Sequence, residues 1–120
     1  MNTIVISNKG VKVNLSVFVY KDMDYPKGDM YIAYCPELDL SGYDTTSRGA
    51  RKSFQYVLKD YLDFTIENGT LEADLIEHGW RKHKNGRIVE PTYNVMLRRS
   101  QLKSVLSQHK FNKYSVPVLV

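Results

Sequence analysis

The sequence predicts an α+β fold: a small antiparallel sheet of three to five strands packed on one main helix, with a short second helix and a C-terminal helix–strand extension. Two patterns carry that reading. Val11, Val13, Leu15, Val17 and Val19 alternate with Lys12, Asn14, Ser16, Phe18 and Tyr20, and period two with β-branched residues means a strand with one buried face. Ala50, Phe54, Val57, Leu58, Tyr61, Leu62 and Ile66 instead recur at helical spacing, while Asp60, Asp63 and Glu67 point elsewhere. The chain has 120 residues, 42 % of them hydrophobic, which suits one domain with one modest core.

Along the chain, the apolar run Thr3–Ser7 meets Val11–Tyr20 across Asn8-Lys9-Gly10, turn chemistry that predicts a hairpin between the two runs. Lys21–Asp29 is rich in turn formers. Met30–Cys35 is the second strand, with Tyr31 and Ala33 on one face and Met30, Ile32 and Tyr34 on the other. Pro36 has no N–H to donate and stops its ladder. Leu38–Gly42 is a short third strand reaching Tyr43 and Asp44. Thr45, Thr46 and Ser47 offer N-caps to the main helix, and Asn68-Gly69 is a left-handed stop. Thr70 caps a second helix, Leu71–His78, closed by Gly79. So short a helix is marginal alone, so packing of Leu71, Leu75 and Ile76 must hold it.

Trp80–Arg87 reads as a polar, basic link, and Tyr93, Val95 and Leu97 alternate as a strand. Ser100 opens a brief helix with Leu102, Val105 and Leu106 inward. Tyr114–Val120 is a closing apolar strand that Pro117 places at a sheet edge. An apolar edge needs a partner strand, within the chain or on a second subunit, and this predicts a homodimer or higher homo-oligomer. The domain reading is a core over residues 1–79 and a basic extension over 80–120, packed on the same domain or on another subunit.

The net charge of +4 hides an asymmetry. Residues 1–79 hold eight Lys/Arg and twelve Asp/Glu, a balance of −4, and residues 80–120 hold nine Lys/Arg and one acid, Glu90, a balance of +8. A basic tail attracts phosphates or an acidic surface, or folds back onto its own acidic body. The single cysteine, Cys35, rules out an internal disulfide and fits a reducing compartment. Lys9 and Asn8 interrupt the N-terminal apolar run, and no stretch approaches the roughly 18 apolar residues of a membrane span. The expectation is a cytoplasmic protein with no membrane contact.

No convincing catalytic set, metal site or cofactor site stands out. His78, His83 and His109 lie far apart with no i, i+4 pairing, and a zinc site would want more thiols than Cys35 supplies. A mid-strand cysteine reads as a buried small hydrophobe rather than a nucleophile. Asp22, Asp24 and Asp29 suggest Mg²⁺ and a nuclease remnant, but Lys21 and Lys27 interleave them and a solvated turn accounts for them better. His109 as a general base has no visible partner.

Tyrosines 20, 25, 31, 34 and 43 crowd the proposed sheet. Exposed on a sheet face they would stack bases or anchor a protein partner. The preferred alternative is a second sheet face covered by the C-terminal segment or by another subunit, because the apolar groups need cover.

The segment from Met30 to Thr46, Met-Tyr-Ile-Ala-Tyr-Cys-Pro-Glu-Leu-Asp-Leu-Ser-Gly-Tyr-Asp-Thr-Thr, resembles the HicB-like antitoxin family. The likeness spans Val11 to Asn68, and Tyr31 to Thr46 is its specific part. It implies a small antiparallel sheet backed by a helix, partly RNase H-like or double-stranded-RNA-binding-domain-like, in a protein that assembles as dimers or higher oligomers. The family masks a small basic mRNA-cleaving toxin, HicA, and many members repress their own operon through a C-terminal helix-turn-helix or ribbon-helix-helix. This chain differs at the helix start, where Arg48 and Gly49 stand in place of the usual acids. Glycine there weakens the helix by roughly 1 kcal/mol against alanine. It differs again after Gln108, where a strand replaces the second helix of a ribbon-helix-helix.

The expected function is therefore non-catalytic: a HicB-like antitoxin that masks a HicA-like toxin through Tyr31, Tyr34, Glu37, Asp39, Tyr43 and Asp44. The alternative is binding to operator DNA or RNA through phosphate contacts from Lys82, Lys84, Arg87, Arg98, Arg99 and Lys103.

Overall fold

The structure, a computed structural model, describes residues 4–5, 12–86 and 88–119. Along them run β1 (Ile4–Val5), β2 (Lys12–Lys21), β3 (Tyr31–Cys35), β4 (Leu40–Asp44), α1 (Ser47–Glu67), α2 (Leu71–Glu77), β5 (Arg81–Lys82), β6 (Ile88–Val89), α3 (Tyr93–Arg99), α4 (Leu102–Gln108) and β7 (Phe111–Leu119). The fold is α+β. The main sheet has the order β1-β7-β2-β3-β4. Its body, β7-β2-β3-β4, is antiparallel throughout, and β1 adds to β7 in parallel. β5 and β6 form a separate antiparallel ribbon.

The alternation of β2 sorts its side chains between two cores. Leu15, Val17 and Val19 face α1, joined by Ala33 and Cys35 of β3 and by Val116 and Val118 of β7. Against them α1 buries Ala50, Phe54, Leu58 and Leu62. Thr46 caps that helix, its hydroxyl accepting from the Gly49 N–H at 3.0 Å. Gly69, at φ +67°, ends it, in the left-handed region open to glycine at little cost.

Two glycines hold α1 close to β4. A Cβ on Gly42 would lie 2.6 Å from the Phe54 Cα, so strand and helix backbones meet there with no room for a side chain. A Cβ on Gly49 would lie 2.9 Å from the Cβ of Asp44. The glycine expected to weaken the helix start is thus what lets the helix begin beside Asp44.

Ile66, expected inward, is 40 % exposed, and Thr65 is buried in its place. Thr65 lies three residues beyond Leu62 and so stays on the buried stripe. Its hydroxyl donates to the Tyr61 carbonyl at 2.8 Å, which removes the cost of burying it. In α2, Leu71 and Leu75 pack on the core, while Ile76 stays 44 % exposed. Thr70 precedes α2 without a side-chain capping bond.

The other sheet face carries Phe18 and Tyr34, and Leu102 and Val105 of α4 bury them. Tyr20, Ile32, Met96, Leu97 and Leu106 surround this second core. The chain's own C-terminal segment therefore covers the tyrosine-bearing face.

Several expectations for the two ends are corrected. Tyr93, Val95 and Leu97 belong to a helix, α3, rather than a strand. Three alternating apolar residues fit either period. Here the Thr92 hydroxyl caps the Val95 N–H at 3.3 Å, and adjacent Met96 and Leu97 both pack on the second core, as a strand would not allow. β1 pairs with β7, not with β2 as a hairpin, because β7 inserts between them. The rest of the Thr3–Ser7 run and the Asn8–Gly10 turn lie outside the described residues. β7 therefore lies inside the strand order, with Pro117 opposite Asn14 of β2, and Val120 is outside the described residues. The link from Trp80 to Arg87 contains β5, and Trp80 itself is buried in the α1-side core.

Candidate functional site

The β3–β4 turn gathers the most interlocked polar groups. Glu37 is buried, and its carboxylate accepts the Ser16 N–H of β2 at 2.8 Å. The Cys35 thiol reaches the same carboxylate at 3.5 Å. The Glu37 carbonyl accepts the indole N–H of Trp80 at 2.7 Å. Burial pushes the Glu37 carboxyl above its ordinary value, and the Ser16 N–H opposes that rise. Burial, with the Glu37 charge next in size, pushes the Cys35 thiol well above its ordinary value. A buried thiol held protonated is a poor nucleophile.

Tyr34 is buried beneath α4. Its hydroxyl donates to the Asp39 carboxylate at 2.5 Å and accepts the Gln101 N–H at 3.0 Å, which ties α4 to the turn. Burial, reinforced by the bond to Asp39, pushes the Tyr34 phenol up. Asp39 holds φ +52°, a conformation that Asn and Asp tolerate better than most residues. A cavity of about 310 Å³ opens beside this turn, lined by Asp39, Glu77, His78, Met96, Arg99 and Ser100. It brings together one residue expected in the partner surface, Asp39, and one expected among the phosphate contacts, Arg99.

The six residues expected to meet a protein partner thus divide. Tyr31 packs on the α1-side core, and Tyr34 and Glu37 are buried within the chain. Asp39, Tyr43 and Asp44 are exposed, Tyr43 at 67 %. They flank or lie on β4, an outer strand of the sheet. One main-chain donor on that strand is already taken, since the Tyr43 N–H donates to the Ser53 hydroxyl at 3.2 Å.

Among the residues expected to contact phosphate, Lys82 pairs with Glu72 at 2.7 Å. Lys84, Arg98, Arg99 and Lys103 are exposed, with no ion pair among the described residues. Arg87 lies outside the described residues. In the acidic loop Asp29 pairs with Lys21 at 2.8 Å, and Asp22 caps its own turn by accepting the Asp24 N–H at 3.0 Å. The ring of His109 packs on Tyr20 at 4.4 Å between centroids, and the Asp74 carboxylate accepts from Tyr61 and lies 3.5 Å from His78. Among the described residues no three His, Cys, Asp or Glu gather as metal ligands, and no helix is long and apolar enough to cross a membrane.

A further basic surface lies on α1, outside the residues expected to bind a partner or phosphate. Arg48, Arg51, Lys52 and Gln55 line an open concavity of about 610 Å³ on one flank of α1. The signal was present in the sequence as polar residues at i, i+3, i+4 and i+7 beside the apolar stripe. Comparison of the chain with protein-family models, curated proteins and solved structures gives no match in any of the three.

Proposed function

We propose that this chain is a non-catalytic binding protein that masks a small basic protein partner, in the manner of a HicB-like antitoxin covering a HicA-like toxin. The observation that carries the reading is β4: an outer strand with Asp39, Tyr43 and Asp44 all exposed on or beside it, within the segment that resembles the family. An exposed tyrosine and two exposed carboxylates along one outer strand suit a basic surface. The ring supplies contact area, and the opposite charge speeds encounter. Homo-oligomerisation and a cytoplasmic location belong to the same proposal.

Co-expression with the small basic protein encoded beside this gene tests it. The two are expected to co-elute on size exclusion, mRNA cleavage by the partner is expected to stop, and Tyr43→Ala is expected to weaken the complex by tenfold or more, about 1.4 kcal/mol. If the gene has no such neighbour, or the two elute apart, the proposal fails.

A second reading is phosphate binding by the C-terminal segment. It is supported by the exposure of Lys84, Arg98, Arg99 and Lys103 without ion pairs among the described residues. Binding to DNA or RNA should then weaken steeply with salt, and absence of any shift in a low-salt titration would remove it.

A further inference from the structure

We propose that the flank of α1 bearing Arg48, Arg51, Lys52 and Gln55, together with Tyr114 of β7, is a binding surface for single-stranded nucleic acid. It is distinct from the C-terminal cations and from the β4 surface.

The argument starts from the helix. At 100° per residue the four side chains fall within one flank of α1, about 100° wide. They line a single open concavity of about 610 Å³. Arg51 reaches from the helix to the sheet, its guanidinium carbon 3.6 Å from the centre of the Tyr114 ring. That stack fixes a long, flexible side chain before any ligand arrives and leaves its N–H edge free to donate.

The charge pattern points the same way. Among the described residues, neither Arg48, Arg51 nor Lys52 has an ion pair. The acids of α1 begin at Asp60, and Asp63 is engaged by Lys59 at 2.5 Å. The first turn of α1 holds no acid. Arg48, in that first turn, opposes the helix dipole, so the helix gains nothing from its charge. A polyanion would gain from all three at once.

The chemistry selects the class of ligand. Three cations on one flank suit successive phosphates, a guanidinium–phenol stack offers a flat platform for a base, and the Gln55 amide supplies both a donor and an acceptor to a base edge. An unpaired strand can turn its bases into such a concavity, while a duplex keeps them stacked inside.

Fluorescence anisotropy of the full chain with labelled oligo-dT and oligo-U is the test. Binding is expected at low salt, with log K falling against log salt with a slope of about −2, as three phosphates on a single strand require. The double variant Arg48→Gln/Lys52→Gln leaves the Arg51–Tyr114 stack in place. It is expected to retain the native circular dichroism and melting temperature, to bind at least about tenfold more weakly, and to show a slope near −0.7. No binding by the native chain overturns the proposal, as does unchanged binding by the folded double variant, or a duplex that binds as tightly as the single strand. Loss of binding in Arg98→Gln/Arg99→Gln/Lys103→Gln with no change in the double variant also overturns it, and assigns the contact to the C-terminal segment instead.

Discussion

The indole N–H of Trp80 donates to the main-chain carbonyl of Glu37 across 43 residues of sequence, in a buried contact 2.7 Å long. It joins the start of the basic C-terminal segment to the β3–β4 turn. Trp80→Phe keeps most of the ring but orphans that carbonyl. A buried group without its partner costs about 1–3 kcal/mol, and urea denaturation followed by circular dichroism is expected to show a loss of that size. Because this is the only tryptophan, native fluorescence should also be blue-shifted and move red on unfolding.

Gly42→Ala is expected to destabilise more than an ordinary core substitution. The new methyl would meet the α1 backbone at Phe54 Cα, 2.6 Å away, where no rotamer change relieves it. Overpacking costs about 1–3 kcal/mol even where side chains can adjust. Calorimetry should show a fall in melting temperature of several degrees or failure to fold. A variant as stable as the parent would mean that helix and strand are further apart than described.

Tyr34→Phe removes the hydroxyl that links Asp39 to Gln101. Hydrogen bonds to a charged group contribute about 1.5–3 kcal/mol, and partial exposure of this pair places the loss toward the lower figure. Hydrogen exchange is expected to report it locally. Protection of the α4 amides should fall, while the amides around Phe54 and Leu58 in α1 keep theirs.

Glu37 makes stability depend on pH in an unusual direction. Burial raises its folded-state pKa above the ordinary value of 4.5, so the folded chain holds this proton to higher pH than the unfolded chain does. The contribution of Glu37 is therefore most favourable below its unfolded pKa, falls as pH rises from there through the raised folded pKa, and is constant above it. Glu37→Gln keeps an oxygen for the Ser16 N–H and removes the titration. Relative to the parent, the variant is expected to gain stability between acid and neutral pH, measured by denaturant midpoints across that range. A stability difference that does not change with pH would show that the carboxyl titrates at its ordinary value.

Much of the fold was legible because local patterns agreed with one another. The alternation of β2 separates Leu15, Val17 and Val19 from Phe18 and Tyr20, and each group lies in the core its parity assigns. The apolar stripe of α1 through Ala50, Phe54, Leu58 and Leu62 is buried, with Thr46 and Gly69 at its ends. That the second sheet face is covered was also readable, since its apolar area needed an occupant, but the choice between the C-terminal segment and another subunit was not.

The candidate site was less legible. Tyr34 at the end of β3 and Glu37 in the turn after it read from the sequence as a partner surface, and contacts from Gln101, Ser16 and Trp80 bury them. The sequence shows the basic flank of α1 only as residue spacing, whereas the structure sets Arg51 over Tyr114, 63 positions later in the chain.

By itself, then, the sequence determined the period and the main buried face of β2 and of α1, the caps of α1 and the α+β class, because backbone geometry and hydrophobic burial act over a few neighbouring residues. The tertiary structure decided what those rules leave open. It decided that β7 rather than β2 pairs with β1, that Tyr93–Arg99 is helical, and which acids, cations and tyrosines remain exposed. Those outcomes depend on residues tens of positions apart competing for the same faces of one sheet, and no local pattern records the result.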